Sequence, residues 1–551
     1  MNNAIRSLAI TLFVGVATAA IVLSAVQRVQ AGGPVGGSCT ETDFDNALSG
    51  GGSITFNCGG PKTITFSYTK AIGNDTTIDG GGVITLSGNN IQPLFQVYFG
   101  RTLTLTNITL ANGYAGPLSG VTSGGIENFG TVVIVNGRLV NNRGQQGGAL
   151  HNLGEAKVTN TTFTNNSAAT EGGAIYNDDG GVITLTTVTI NNNFVTTTTI
   201  GSAGGGVYNT GRLTMNGGSL SNNYGISPTN YLFSGGGLFN NGNISTIGIV
   251  NLTNVTVQGN RSGSAGGLSN YDGRMTLRST TVDSNTSLIT AGGLSNAGSA
   301  AILKIYNSQI TRNSSGLGGG LYLSGNGAST VISQTRISQN SVSSLGGGIR
   351  NFGVVWIYQS TLDNNIALNG GGIANRGSIY AENSTFSANK AMDTISIDST
   401  LTSGGGIFSE QNVASVELVN VTLKQNQASI GAGLRITNVA VLTLRNTAIA
   451  DACDVGSVFD NGGNRAVDFN CLGSTHHSDL KLGSLGFYGG STPTHLPLPG
   501  SPLINGGTNT GCPAKDQRGK TRPYNSTCDS GAVEFSAGDP IAWVYLPVVL
   551  K

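Results

Sequence analysis

Short stretches in which apolar and polar residues alternate recur along most of the chain, among them Val132-Val133-Ile134-Val135, Leu213-Thr214-Met215, Met275-Thr276-Leu277 and Val355-Trp356-Ile357-Tyr358. A period of two marks strands with one buried face. Two further signatures repeat around them. The first is Gly-Gly, an apolar residue, a variable residue and usually Asn, as in the stretches that end at Asn128, Asn152, Asn177, Asn209 and Asn240. It continues through Leu268, Leu294, Leu321, Ile349, Ile373, Ile407 and Leu434, giving twelve copies with Ile, Leu or Val at the apolar position, nine of them with Asn two places later. The second is an apolar residue followed three positions later by Asn: Leu139/Asn142, Phe163/Asn166, Ile190/Asn193, and so on to Leu423/Asn426, one in every interval.

Each repeat therefore predicts about three short strands and no helix. Strands this short cannot bury their apolar faces alone, so the repeats must stack, each pairing in parallel with the next. The expected fold class is all-β, a parallel β-helix (solenoid) with one stack of aliphatic side chains per face. The Gly pairs supply turn conformations with positive φ, the recurring Asn tolerates the left-handed region, and in register each Asn can hydrogen-bond to its equivalent one rung away. Twelve rungs at about 4.8 Å give a rod of roughly 55–60 Å.

The pairing of a Gly-Gly-Ala-Ile-like element (Gly172-Gly173-Ala174-Ile175) with a Phe-x-x-Asn-like element (Phe163 to Asn166), sustained over about residues 120–440, resembles the repeats of the polymorphic outer membrane proteins. That resemblance implies a right-handed parallel β-helix of pectate-lyase-like (pectin lyase) architecture and a role as a surface adhesin. Those proteins are autotransporters; the roughly one hundred residues after the last rung are too few and too Cys-bearing for a translocating barrel, so autotransport is not carried over.

The repeats occupy 116–450, preceded by an N-terminal cap and first coils at 32–115. Within the latter, the stretch from Thr76 through Asp79 reads as an early coil with longer strands. Arg6, the apolar run from Leu8 to Val26 and Val29-Gln30-Ala31 read as a signal peptide, 1–31, cleaved before Gly32; an uncleaved anchor is the alternative. Six cysteines fall into three local pairs, Cys39/Cys58, Cys453/Cys471 and Cys512/Cys528, which fits disulfide-bearing caps at both ends and an oxidising compartment. A Cys-containing C-terminal module, 451–535, includes Ser501 to Asn505, Cys512 to Arg522 and Cys528 to Phe535, and resembles the choice-of-anchor Q module of exported β-helix proteins. Asn505 stands where that pattern usually has Asp. The apolar tail, 536–551, holds a ten-residue run from Ile541 to Leu550, half of what a membrane span needs, so no span is expected in the mature chain.

Composition narrows the function. Of 551 residues 86 are Gly, charged residues are only 10%, and the net charge is +1, which leaves no field for collecting phosphates. Nucleic acid is not an expected partner; polysaccharide or a surface protein is, with the chain a secreted or cell-surface monomer. If the apolar residue of each Gly-Gly element points inward, the next points outward, and the rungs build a column that begins Glu127, His151, Tyr176, Tyr208, Phe239. Tyr176, Tyr208 and Phe239 are the candidate ligand-binding residues, three exposed aromatics at strand spacing suited to sugar rings or a protein partner. Glu127 and His151 would be neighbours, a pair more often structural than catalytic. His476-His477-x-Asp479 and the group Asp451, Asp454, Asp460 and Asp468 lack diagnostic metal spacings, so neither a metal nor a cofactor is expected. Lys515, Arg518, Lys520 and Arg522 form the one basic cluster, read as a solvated disulfide loop. The expected function is non-enzymatic adhesion or binding of glycans or envelope components. The alternative is a polysaccharide lyase or glycoside hydrolase, which would need several carboxylates converging on one face, and acidic residues are sparse through the rungs.

Overall fold

The computed structural model describes residues 32–539 apart from 118, 197–202, 226–233, 243–246, 326, 393–400, 411–413, 438–439 and 472. The expected signal peptide, 1–31, and the run from Ile541 to Leu550 lie outside the described residues. The rungs form walls of parallel strands. One wall has fifteen short strands, from Lys70–Ile72 to Cys453–Val455, three more than the Gly-Gly copies because Lys70–Ile72, Phe95–Val97 and Cys453–Val455 join without that signature. From first to last they span roughly 65–70 Å at about 4.8 Å per rung. A second wall is made of strands such as Thr131–Val135 and Glu155–Thr159, a third of strands such as Arg138–Val140 and Thr162–Thr164. A left-handed residue at the corner between them, for example Asn136 or Asn160, separates the second and third walls. Elsewhere they run on as single strands, Val182–Asn191 and Arg212–Ser221. A fourth set of ten short strands, from Arg143–Gln146 to Lys390–Ala391, was not foreseen. The early coil appears as the long strand Thr76–Ser87.

Inward positions form one apolar cluster running from Val35 to Cys471, with Ile126, Leu150, Ile175, Val207 and Leu238 fully buried in line. Two Asn ladders flank it. Asn128 Nδ2 donates to Asn152 Oδ1 at 2.6 Å, and the relay continues through Asn177, Asn209, Asn240 and Asn270 to Asn296. The second ladder runs from Asn142 to Asn426; at each step the backbone N–H and Nδ2 both donate to the next Asn Oδ1, as from Asn260 to Asn285 at 3.0 and 2.9 Å, and Nδ2 also reaches a carbonyl of the preceding rung. These ladder residues are not themselves left-handed. The residue before each Asn of the second ladder has positive φ: Asn141, Asn165, Ser284 and Gln339 near +50 to +57°. Both glycines of a pair exclude a side chain. Gly172 has φ +62° and a Cβ there would lie 2.2 Å from the Ile175 carbonyl oxygen, whereas its neighbour Gly173 has an ordinary φ but a Cβ would lie 2.1 Å from the Gly205 carbonyl oxygen of the next rung.

At the N-terminal end a helix, Glu41–Leu48, is started by a capping box between Thr40 and Asp43 and buries Phe44 against Phe56 and Phe66. The Cys39–Cys58 disulfide ties this cap together, and buried Lys70 pairs with Glu41 and Asp45. At the other end the Cys453–Cys471 segment continues the coil. The chain after residue 480 then folds back along the flank of the closing turns, from Gln359 to Gly463. Gln517 bonds to Thr361 and Thr385, Ser387 Oγ meets His495 Nε2 at 2.9 Å, and Asn420 Nδ2 donates to Asp529 O at 2.9 Å. The basic cluster is therefore not a solvated loop. Arg518 is buried between Asp516 and Asp539, Arg522 is buried against Glu534, and of the four cations only Lys515 is exposed. The third disulfide, Cys512–Cys528, closes this segment.

Candidate functional site

The outward column of the Gly-Gly wall has the order that the register requires: Glu127, His151, Tyr176, Tyr208, Phe239, Ser269, Ser295, Tyr322, Arg350, Ala374, Phe408 and Arg435 are paired rung to rung. Parallel, in-register strands set equivalent side chains about 4.8 Å apart, close to a stacking distance for flat rings. Tyr176 and Tyr208 accordingly lie 5.0 Å apart with 4° between their planes, and Tyr208 and Phe239 5.4 Å apart at 16°. His151 abuts Tyr176 edge-on at 5.0 Å. The ladder is more covered than three bare rings on a strand face would be: Tyr176 and Tyr208 are 9% and 8% exposed, and only Phe239 is half-buried. Burial raises both tyrosine pKa values, that of Tyr208 to about 12, and the Tyr208 hydroxyl accepts a hydrogen bond from Asn241.

The charged end of the ladder is a closed network. Glu127 Oε1 lies 2.7 Å from His151 Nδ1, Asp178 Oδ2 lies 3.3 Å from Nε2, and the backbone N–H groups of Thr122 and Ser123 donate to Glu127 Oε2. With a carboxylate on each ring nitrogen, His151 must donate twice, which only the imidazolium can do. Burial opposes that charge, but the hydrogen bonds to Asp178 and Glu127 outweigh it and lift the pKa to about 9. Burial would likewise raise Glu127, yet His151 and the two backbone donors hold it below its usual value, and His151 does the same for Asp178. An acid and a base already satisfied by each other do not offer a proton to a ligand. Asp178 and Thr122 escaped the sequence reading because they lie in turns; the one available signal was that Asp178 directly follows the ladder residue Asn177.

The other candidates separate. Asp451 ends the second Asn ladder by accepting from Asn426, Asp454 pairs with Arg435, Asp460 accepts from Asn464 and the Gly462 N–H, and Asp468 accepts from the Cys453 N–H. His476 packs on Phe469. Among the described residues no group of three or more His, Cys, Asp or Glu side chains could hold a metal ion. Within the same residues no helix is long and apolar enough to cross a membrane.

A stack of parallel rungs bound by inter-rung Asn ladders and one axial core defines a parallel β-helix repeat protein. Residues 160–178, which span Phe163 to Asn166 and Gly172 to Asn177, match the Chlamydia polymorphic membrane protein repeat, and the chain resembles that family's repeats in both elements. No curated protein and no solved structure matches the chain.

Proposed function

We propose that this protein is exported, associates with a cell surface or outer envelope, and works by binding glycans or other envelope components, not by chemistry on them. The observation that carries this reading is the commitment of the carboxylates set into its walls. Buried Glu127 is locked to His151, Asp283 to Arg312 and Asp363 to Arg336, and half-buried Glu410 to Arg350 and Arg376. Asp451 and Asp529, which burial raises to about 6, pair with no cation among the described residues but are held by Asn426 and by the Asn505 and Phe535 N–H groups. Polysaccharide cleavage needs carboxyl groups free to take or give a proton at the substrate. The likeness to polymorphic membrane protein repeats supports a surface location, and three disulfides suit an oxidising compartment. Within this reading Tyr176, Tyr208 and Phe239 form a ligand contact in which the half-buried Phe239 ring presents the surface and is steadied by stacking along the rod on Tyr208, itself stacked on Tyr176.

The test is a glycan array probed with purified residues 32–551, followed by assays for new reducing ends and unsaturated products on every glycan bound. Binding without product is expected, with Phe239→Ala weakening it several-fold if the ladder is a contact. Sustained product release, or no binding to any glycan or envelope fraction, would overturn the reading.

A further inference from the structure

The second wall carries an outward surface that the ladder does not share. Along its middle column the register runs Lys304, Val331, Trp356, Tyr380, Glu417, and beside it Tyr306, Ser333, Tyr358, Glu382. Trp356, Tyr358 and Tyr380 are therefore nearest neighbours on one open face, all half-buried, with Tyr358 and Tyr380 ring centroids 5.7 Å apart. Tyr380 donates its hydroxyl to Glu382 Oε2 at 2.7 Å, which fixes the ring against the sheet. The face has a side wall. Gln359 and Asn383, at the corner next to Tyr358 and Glu382, donate to the backbone carbonyls of Asp516 and Lys515 at 2.8 Å each, so the segment closed by Cys512–Cys528 runs as a lip along the aromatic strip.

We propose that this lipped strip is a binding site for a neutral, unbranched, β-linked glycan lying along the rod. The proposal rests on the glycan-binding reading above and gives it a second place, on a different wall from the Tyr176, Tyr208 and Phe239 ladder. Three aromatic rings side by side on a flat sheet offer area for the apolar faces of successive sugar rings at small entropic cost. The half-buried carboxylates of Glu382, already bonded to Tyr380, and Glu417 at one end repel a polyanion, while Lys304 at the other end disfavours a polycation, so charge complementarity selects a neutral chain. An added β-strand is disfavoured because the wall presents its face there, and its backbone groups are already paired with the neighbouring rungs.

The chain has two Trp, so Trp543→Phe leaves Trp356 as the sole indole emitter. That variant of the 32–551 protein is titrated with cellohexaose, chitohexaose and a galacturonate hexamer, following indole emission and heat of binding. Saturable binding of at least one neutral hexamer with a shift in Trp356 emission is expected, and a loss of at least tenfold in affinity in Trp356→Ala and Tyr380→Ala at unchanged circular dichroism and melting temperature. Trp356→Tyr restores most of the loss. Equal affinity in the alanine variants, an emission that does not move, or preference for the galacturonate hexamer would overturn the site. If glycans found on the array still bind the alanine variants, the placement fails and the glycan-binding reading stands; if the parent protein binds no glycan, both fail.

Discussion

His151 shows what one side chain does when both of its nitrogens face carboxylates. Its pKa is raised from 6.5 to about 9, so the stability it confers is fully present below about 6.5 and is lost as pH rises through about 9. A rise of that size corresponds to roughly 3 kcal/mol. The melting temperature of the wild-type protein should therefore fall between pH 6.5 and 9.5, and this slope should vanish in His151→Gln; an equal slope in the variant would show that the titration belongs elsewhere. Glu127 and Asp178, both depressed, act in the opposite sense: their share is present above their unfolded values and is lost in acid. The neighbourhood of Glu127 and His151 was legible in the sequence because both follow the apolar residue of a Gly-Gly element and the rungs are in register. That Asp178 completes the network was not, because a turn's reach over a wall is set by tertiary packing and leaves no periodic mark. The same cause explains Tyr176 and Tyr208, whose column follows from periodicity but whose cover does not.

At the scale of the rung, Gly172 and Gly173 share one demand, and a second falls on Gly172 alone. A Cβ at Gly172 would stand 2.2 Å from the Ile175 oxygen, and one at Gly173 2.1 Å from the Gly205 oxygen, backbone atoms fixed by the coil and the inter-rung ladder. Gly172 also needs a left-handed backbone, which a Cβ makes costly by about 1–2 kcal/mol. Gly172→Ala should thus lose more unfolding free energy in urea than Gly173→Ala, by about that 1–2 kcal/mol. Equal losses would mean that the steric clash alone sets the cost. The ladder residues teach the same lesson in reverse: Asn142 to Asn426 are needed for their amides and not for a left-handed φ, which falls to the residue before each of them. The pattern fixes which positions are special; whether φ, volume or hydrogen bonding makes them so requires the neighbouring rung.

For the whole molecule, the repeats made the solenoid readable, while the flank taken by the C-terminal segment was not. Gln517 meets Thr385 across 132 residues, and contacts of that separation have no local signature. The rungs obey a simpler rule, in which each ladder Asn and each core aliphatic meets its own counterpart. Duplicating residues 267–292, which carry Asn270 and Asn285, should therefore yield a folded protein about 5 Å longer by small-angle scattering, with a melting temperature within a few degrees of the parent; aggregation or a loss of β signal would show that the rungs are not interchangeable. Because the lip is bonded to the final turns alone, inserted units would lie between it and the capped beginning. The shaft is in effect a measuring rod, whose reach can be reset by copying one segment of the gene while the aromatic strip beside the lip stays as it was.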